Sequence, residues 1–249
     1  QSSDVQQGFD DYQRALSYGY LGKQEIREQL TKFALEAGGS PNVPAEFKDK
    51  IIRNALTELD ANIKENPGDP RPYLFLGGLY SRIGLTDYAL AAFQEASRLS
   101  PNKQQIYFEI GDVYLQKGDY KNAAAVMEKA FNLDTSYNTA GINLAAVYIL
   151  NNEQAKADQT LIKSFGTVEV ADIILVQVYS RVKNYDRLVS TWKAFTQRDM
   201  KNLDYRKNLA GAYLLADDKI GAIKVLTDAK KDFPSSVAEI DDLIKQAWQ

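Results

Sequence analysis

Residues 70–103 read PRPYLFLGGLYSRIGLTDYALAAFQEASRLSPNK, and the fold turns on them. Tyr73, Leu76, Gly77 and Tyr80 fall at helical spacing. Gly84 breaks the run, and Ala89, Phe93 and Ala96 resume it before Pro101. This is the pattern of two amphipathic helices joined by a short turn. The frame then recurs. Tyr80, Tyr114 and Tyr148 stand 34 residues apart, Tyr179 follows after 31 and Tyr213 after 34 more. Three residues before four of these tyrosines sit Gly77, Gly111, Ala145 and Ala210. Ala89, Ala123, Ala157 and Ala222 occupy the small position of the second helix. Phe93, Met127, Leu161, Trp192 and Leu226 occupy its large one, and Ala96, Ala130, Ser164 and Ala229 the next small one. Gly118 repeats the midway break, and Pro234 closes the last unit as Pro101 closes the first.

A fixed period of this length marks a repeat architecture. No helix pair buries its apolar face alone, so the units must stack. The frame predicts five units, 70–103, 104–137, 138–168, 169–202 and 203–236. In them the small residue of one helix faces the small residue of the other, Gly77 against Ala89 and Gly111 against Ala123. The large residues then fill the hole against the next unit. The fourth unit departs from the frame: Val176 and Leu188 take the close-approach positions and Phe195 a small one. Its helices are expected to lie further apart.

The ends extend the stack. Lys23 to Ala37 carries Ile26, Leu30, Phe33 and Ala34 on one helical face, and Gly38-Gly39-Ser40-Pro41 breaks it. Pro44 opens a second helix with Ala55, Leu59 and Pro67 at second-helix positions. Residues 23–69 therefore read as a divergent zeroth repeat, preceded over 1–22 by a helix carrying Phe9, Tyr12 and Leu16. Ser236-x-x-Glu239 reads as a capping box, opening a helix over 237–249 whose apolar face is Val237, Ile240, Leu243, Ile244 and Trp248. That helix is expected to cap the last unit.

Composition excludes several chemistries. The 249 residues contain no Cys and no His. Disulfides, thiolate metal sites and His-assisted nucleophiles are therefore impossible, and zinc would have only carboxylates to bind it. No phosphate loop or calcium loop appears, so no cofactor and no metal is expected. The acidic pairs Asp10–Asp11, Asp217–Asp218 and Asp241–Asp242 are sequence neighbours, which diverge by about 100° on a helix and cannot converge as an acid–base dyad. No catalytic residue is expected. The net charge is −3 and Lys230–Lys231 is the longest basic run, so no nucleic-acid partner is expected. No apolar run reaches the length of a membrane span. The chain begins at Gln1, which reads as a processed or excised piece and leaves a preceding signal or membrane segment open.

Residues 70–236 resemble the tetratricopeptide repeat, clearest in Tyr73-x-x-Leu76-Gly77-x-x-Tyr80, Ala89, Phe93, Ala96 and Pro101. The resemblance implies an all-α, right-handed superhelical solenoid that binds a protein or peptide and catalyses nothing. It also implies that the first helix of each unit lines a concave groove. On this chain the groove positions give Leu74, Arg82, Phe108, Asp112, Ile142, Ile173, Gln177, Arg181 and Lys207. Phe108, Ile142 and Ile173 are expected at its centre, with Arg82 and Arg181 at the rim. The subclass that clamps a terminal carboxylate needs Lys and Asn where Leu74 and Gly78 stand, so that specificity is not expected.

A second resemblance covers about the first 65 residues. Phe9-x-x-Tyr12-x-x-Ala15-Leu16, followed by Gln24-Glu25-Ile26-Arg27-Glu28-Gln29-Leu30, resembles the segment joining multi-spanning O-antigen ligase/polymerase-type membrane proteins to a C-terminal repeat domain. It implies an extracytoplasmic part of a bacterial envelope glycan-assembly protein, tied to the membrane only through a segment absent from this chain. A cytoplasmic location stays open. The leading expectation is a protein- or peptide-binding scaffold. The alternatives are a structural protein that self-assembles by end-to-end stacking, and an enzyme or glycan binder.

Overall fold

The computed structural model describes residues 2–19 and 22–248, and among these it contains fourteen α-helices, one short 3-10 turn and no strand. The chain divides into two compact units at Leu133 and Asp134. In the first, α1 (Ser2–Ser17) packs on α2 (Lys23–Gly39), which pairs with α3 (Ala45–Glu65). Two further pairs follow, α4 (Pro70–Arg82) with α5 (Thr86–Leu99) and α6 (Gln104–Gln116) with α7 (Tyr120–Leu133). The first helices of successive pairs, α2, α4 and α6, also touch one another. The second unit holds α8 (Asn138–Leu150) with α9 (Gln154–Phe165), α10 (Ile173–Arg181) with α11 (Tyr185–Arg198), and α12 (Leu203–Leu215) with α13 (Lys219–Asp232). After the 3-10 turn Pro234–Ser236, α14 (Val237–Trp248) lies on α13. The expected boundary residues Gln1, Tyr20, Leu21 and Gln249 lie outside the described residues.

The turn inside each pair is the same device five times. A residue with left-handed backbone sits four places after each frame tyrosine: Gly84 (φ 78°), Gly118 (71°), Asn152 (60°), Lys183 (57°) and Asp217 (60°). The next amide then donates back to the tyrosine carbonyl: Leu85 to Tyr80 (2.8 Å), Asp119 to Tyr114 (2.9 Å), Glu153 to Tyr148 (2.8 Å), Asn184 to Tyr179 (2.9 Å) and Asp218 to Tyr213 (2.9 Å). This closes the otherwise unsatisfied end of the first helix. Side-chain caps start some of the helices. Asp69 accepts from the Arg71 amide (2.9 Å) with Pro70 in the first turn, and Asn202 and Asp218 cap α12 and α13.

The close contact within a pair differs from the expected small-on-small arrangement. A Cβ on Gly77 would stand 2.6 Å from the Phe93 ring, and one on Gly111 would strike the end of Met127. The bare backbone of the first helix thus receives the large side chain of its own unit's second helix. Phe93 and Met127 are 1% and 2% exposed. Ala89 and Ala123, buried beside them, leave those side chains room to lie flat.

In the fourth segment, residues 169–172 are not helical, and α10 has 9 residues against 13 in α4, α6, α8 and α12. Val176 is half-buried where other units hold Gly or Ala. Phe195, buried where others hold a small residue, stacks with Trp192 and Tyr205 at 5.0 and 5.1 Å. Aromatic rings thus occupy the space that small residues leave open elsewhere.

At the C-terminal end Ile240 is fully buried on Leu226 and Ala229, with Leu243 and Ile244 against them. Trp248, expected on that face, is 64% exposed, and Ala247 is buried instead. The stripe is centred near Ile240 and Ala247, and Trp248 stands about 80° round from Ile240. The expected capping box is also replaced. The Ser236 amide donates to the Phe233 carbonyl (3.0 Å) in the 3-10 turn, and Glu239 pairs with Lys207 (2.5 Å).

Adjacent glycines give the sharpest test of this packing. Gly77 is filled by Phe93, whereas a Cβ on Gly78 meets nothing within 4 Å. Gly77→Ala should destabilise by about 1–3 kcal/mol. Gly78→Ala should stabilise by about 0.5–1 kcal/mol, because it removes a mid-helix glycine at no steric cost. Chemical denaturation midpoints of the two variants check this, and equal shifts would contradict it.

Candidate functional site

In the first unit the three first-of-pair helices build a pocket of about 370 Å³. Its floor follows from the frame. Leu74, Phe75 and Gly78 share one face of α4, and Leu35 joins them from α2. Gly78 leaves the floor open where any side chain would fill it. The walls are charged: Glu28 from α2, Arg71 from the start of α4, and Lys103, Gln105 and Glu109 at and within the start of α6.

Arg71 is held in place. Its guanidinium forks onto Asp69 (Nη2 to Oδ2 2.8 Å, Nε to Oδ1 3.1 Å) and approaches Glu28 Oε1 at 3.5 Å. Burial pushes the Asp69 carboxyl up, but the hydrogen bonds from Arg71 and Gln24 (2.7 Å) outweigh it and leave the carboxyl below its ordinary value. On α6 the balance is opposite. Burial raises the Glu109 carboxyl, which a hydrogen bond from Gln105 only partly offsets. Asp112, one turn on, is open to solvent. Even so, enough protein surrounds its carboxyl that burial, and then the neighbouring Glu109 charge, push it up to about 6.

The expected groove residues are distributed between the two units. In the first, Leu74 lines the pocket, and Leu74 and Phe108 are both half-buried against the core around Phe93 and Ile106. Phe108 therefore serves the fold as well as a surface. Asp112 is exposed on the same helix. Arg82 packs over Gly39 at the end of α2, where the helix dipole favours a cation, and it does not line the pocket. In the second unit Ile142 is 4% exposed and borders a pocket of about 160 Å³ with Phe165, Val170 and Ile174. Ile173 is 54% exposed, and Gln177 and Arg181 are exposed along the same helix. Lys207 is committed to the cap through Glu239, with Asp204 at 3.5 Å. Phe75 and Glu109 are absent from the expected set, although each directly follows one of its members, Leu74 and Phe108. Glu28 and Leu35 come from the zeroth pair, which lacks the tyrosine and glycine that mark the frame.

Among the described residues no group of His, Cys, Asp and Glu is arranged to hold a metal ion. None of the described helices is long and apolar enough to cross a membrane.

The raised Asp112 carboxyl has a consequence for stability. Between its ordinary value of 3.8 and about 6 the folded state holds a proton the unfolded state has lost. Stability from this group therefore falls as pH rises through that window. Asp112→Asn should raise the thermal midpoint at pH 7.5 and leave it unchanged at pH 3.5. A shift of equal size at both pH values would contradict the assignment.

Comparison with known proteins fits this architecture. Residues 104–137, which are α6 and α7 with their loops, match the tetratricopeptide-repeat family model. The chain is 34% identical over 82 residues to anaphase-promoting complex subunit 3 of Schizosaccharomyces pombe, a match spanning 33% of this chain and 12% of that protein. Among solved structures it resembles PilW, described as a widely conserved type IV pilus biogenesis factor. The TM-score is 0.53 at 15% identity, over 84% of this chain and 94% of that one. It also resembles PilF of Pseudomonas aeruginosa, with a TM-score of 0.52 at 16% identity over 92% and 100% of the two chains. At these identities the likeness is one of fold. Residues 104–137 thus match one tetratricopeptide repeat, and the likeness to these solved structures is one of all-α fold.

Proposed function

We propose that this repeat scaffold is a non-catalytic protein that binds a protein or peptide across the first-of-pair helices of its first unit. The observation carrying this reading is the pocket between α2, α4 and α6 in the first unit, with its apolar floor of Leu35, Leu74, Phe75 and Gly78 and its charged walls. An opening of about 370 Å³ accepts a side chain or two of a partner. An apolar centre with a polar rim is the usual anatomy of a protein contact. Gly78→Trp tests it, since a Cβ there meets nothing within 4 Å and the residue lines the pocket that the ring would fill. Affinity capture from lysate followed by mass spectrometry should lose the partners recovered by the wild-type chain, with the thermal midpoint retained. Unchanged capture by a folded variant would exclude the pocket.

Self-assembly through the ends is a second reading, favoured by Trp248 standing 64% exposed at the end of the cap helix. Sedimentation at rising concentration distinguishes it, because a stacking protein grows and a docking scaffold stays monodisperse. The placement in a bacterial envelope glycan-assembly protein, outside the cytoplasm, rests on the resemblance of residues 9–16 and 24–30, which lie on α1 and α2. Protease accessibility in intact cells checks it, and full protection would count against it.

A further inference from the structure

We propose that the first-unit pocket takes a cationic peptide, an apolar side chain on the Leu74–Phe75–Gly78 floor with a Lys or Arg within two residues reaching Glu109 and Asp112. This rests on the docking reading above and adds the chemistry of the partner.

Charge complementarity at an apolar groove selects the partner. Of the two cations in the pocket wall, Arg71 is already neutralised, forked onto Asp69 and 3.5 Å from Glu28. Only Lys103, exposed at the edge, remains as an uncommitted positive charge. Against it stand Glu109 in the wall and Asp112 one turn along α6, and among the described residues neither carboxylate makes an ion pair. Most other acidic side chains of this unit do have a partner: Glu58 and Glu65 bind Arg27, Asp87 binds Lys117, and Glu95 binds Arg98. Glu109 and Asp112 are instead left one turn apart without a counter-charge, and the Glu109 charge raises the cost of charging Asp112, an arrangement that a cation relieves. Physical reach agrees. One helical turn is about 5.4 Å and an extended residue spans about 3.3 Å, so a cation one or two residues from the anchor arrives at the pair. An acidic peptide would meet like charge here, which suppresses the wrong partner.

A phage-displayed random dodecapeptide library, panned on the whole chain and counter-selected on folded Gly78→Trp, tests this directly. Clones that discriminate the two should carry Lys or Arg within two residues of an apolar residue. The corresponding synthetic peptides should lose about tenfold in affinity on Glu109→Gln/Asp112→Asn, with less loss at high salt. Discriminating clones that are acidic or uncharged, or that bind the double variant equally well, would overturn the cationic assignment and leave the docking reading standing. No clone that discriminates Gly78→Trp would overturn both.

Discussion

The Phe93 ring lies on a backbone that has no side chain, at Gly77, and the rest of the first unit is arranged around that contact. A helix pair of this size cannot bury its apolar stripe by itself. Setting a large side chain of the second helix against bare backbone of the first brings the axes close and seals the inner faces. Met127 on Gly111 repeats the contact one period later. Once it is made, the turn between the helices has little freedom. It is closed each time by a left-handed residue and a bond back to the tyrosine carbonyl. The remaining faces can only be covered by the neighbouring pairs.

The same constraint leaves one face of α4 uncovered. Gly77 and Gly78 are adjacent, about 100° apart on the helix, so the first looks into the pair and the second out of it. The packing residue and the pocket floor are thus two consequences of one dipeptide. With α2 and α6 on either side, charged residues near helix starts become pocket walls. Arg71 is fixed there by the Asp69 cap that begins α4, and Glu109 by the register that buries Ile106 and Ile110.

Much of this was legible in the residues. The tyrosine period fixed the pairs, and Gly84 and Gly118 marked the first two turns. The later turns were hidden because Asn152, Lys183 and Asp217 adopt the left-handed conformation without the glycine that advertises it. The partner of Gly77 was misassigned because spacing reports which residues share a face, and Ala89 and Phe93 share one. Only the packed pair shows which of them fills the gap. Arg27 carries no mark in the local pattern of its helix, yet it is 2% exposed, with its guanidinium on Glu58 (2.9 Å) and Glu65 (2.6 Å) across the zeroth pair. Burial of a charge is set by partners far away in sequence, so no local pattern carries it. Of the expected groove set, Leu74 lines the first-unit pocket and Asp112 lies one turn beyond it. Phe108 turned partly inward, and Lys207 was claimed by a cap helix whose ion pairs periodicity does not foretell.

Photocrosslinking from defined positions measures the central claim, that the face of the first-of-pair helices is where a partner sits. A benzophenone amino acid at Gln105, in the pocket wall, should yield a discrete crosslinked species in the native extract. The same group at Tyr88, which is 63% exposed on α5 outside the pocket, should not. Crosslinks from Tyr88 with none from Gln105 would contradict the account.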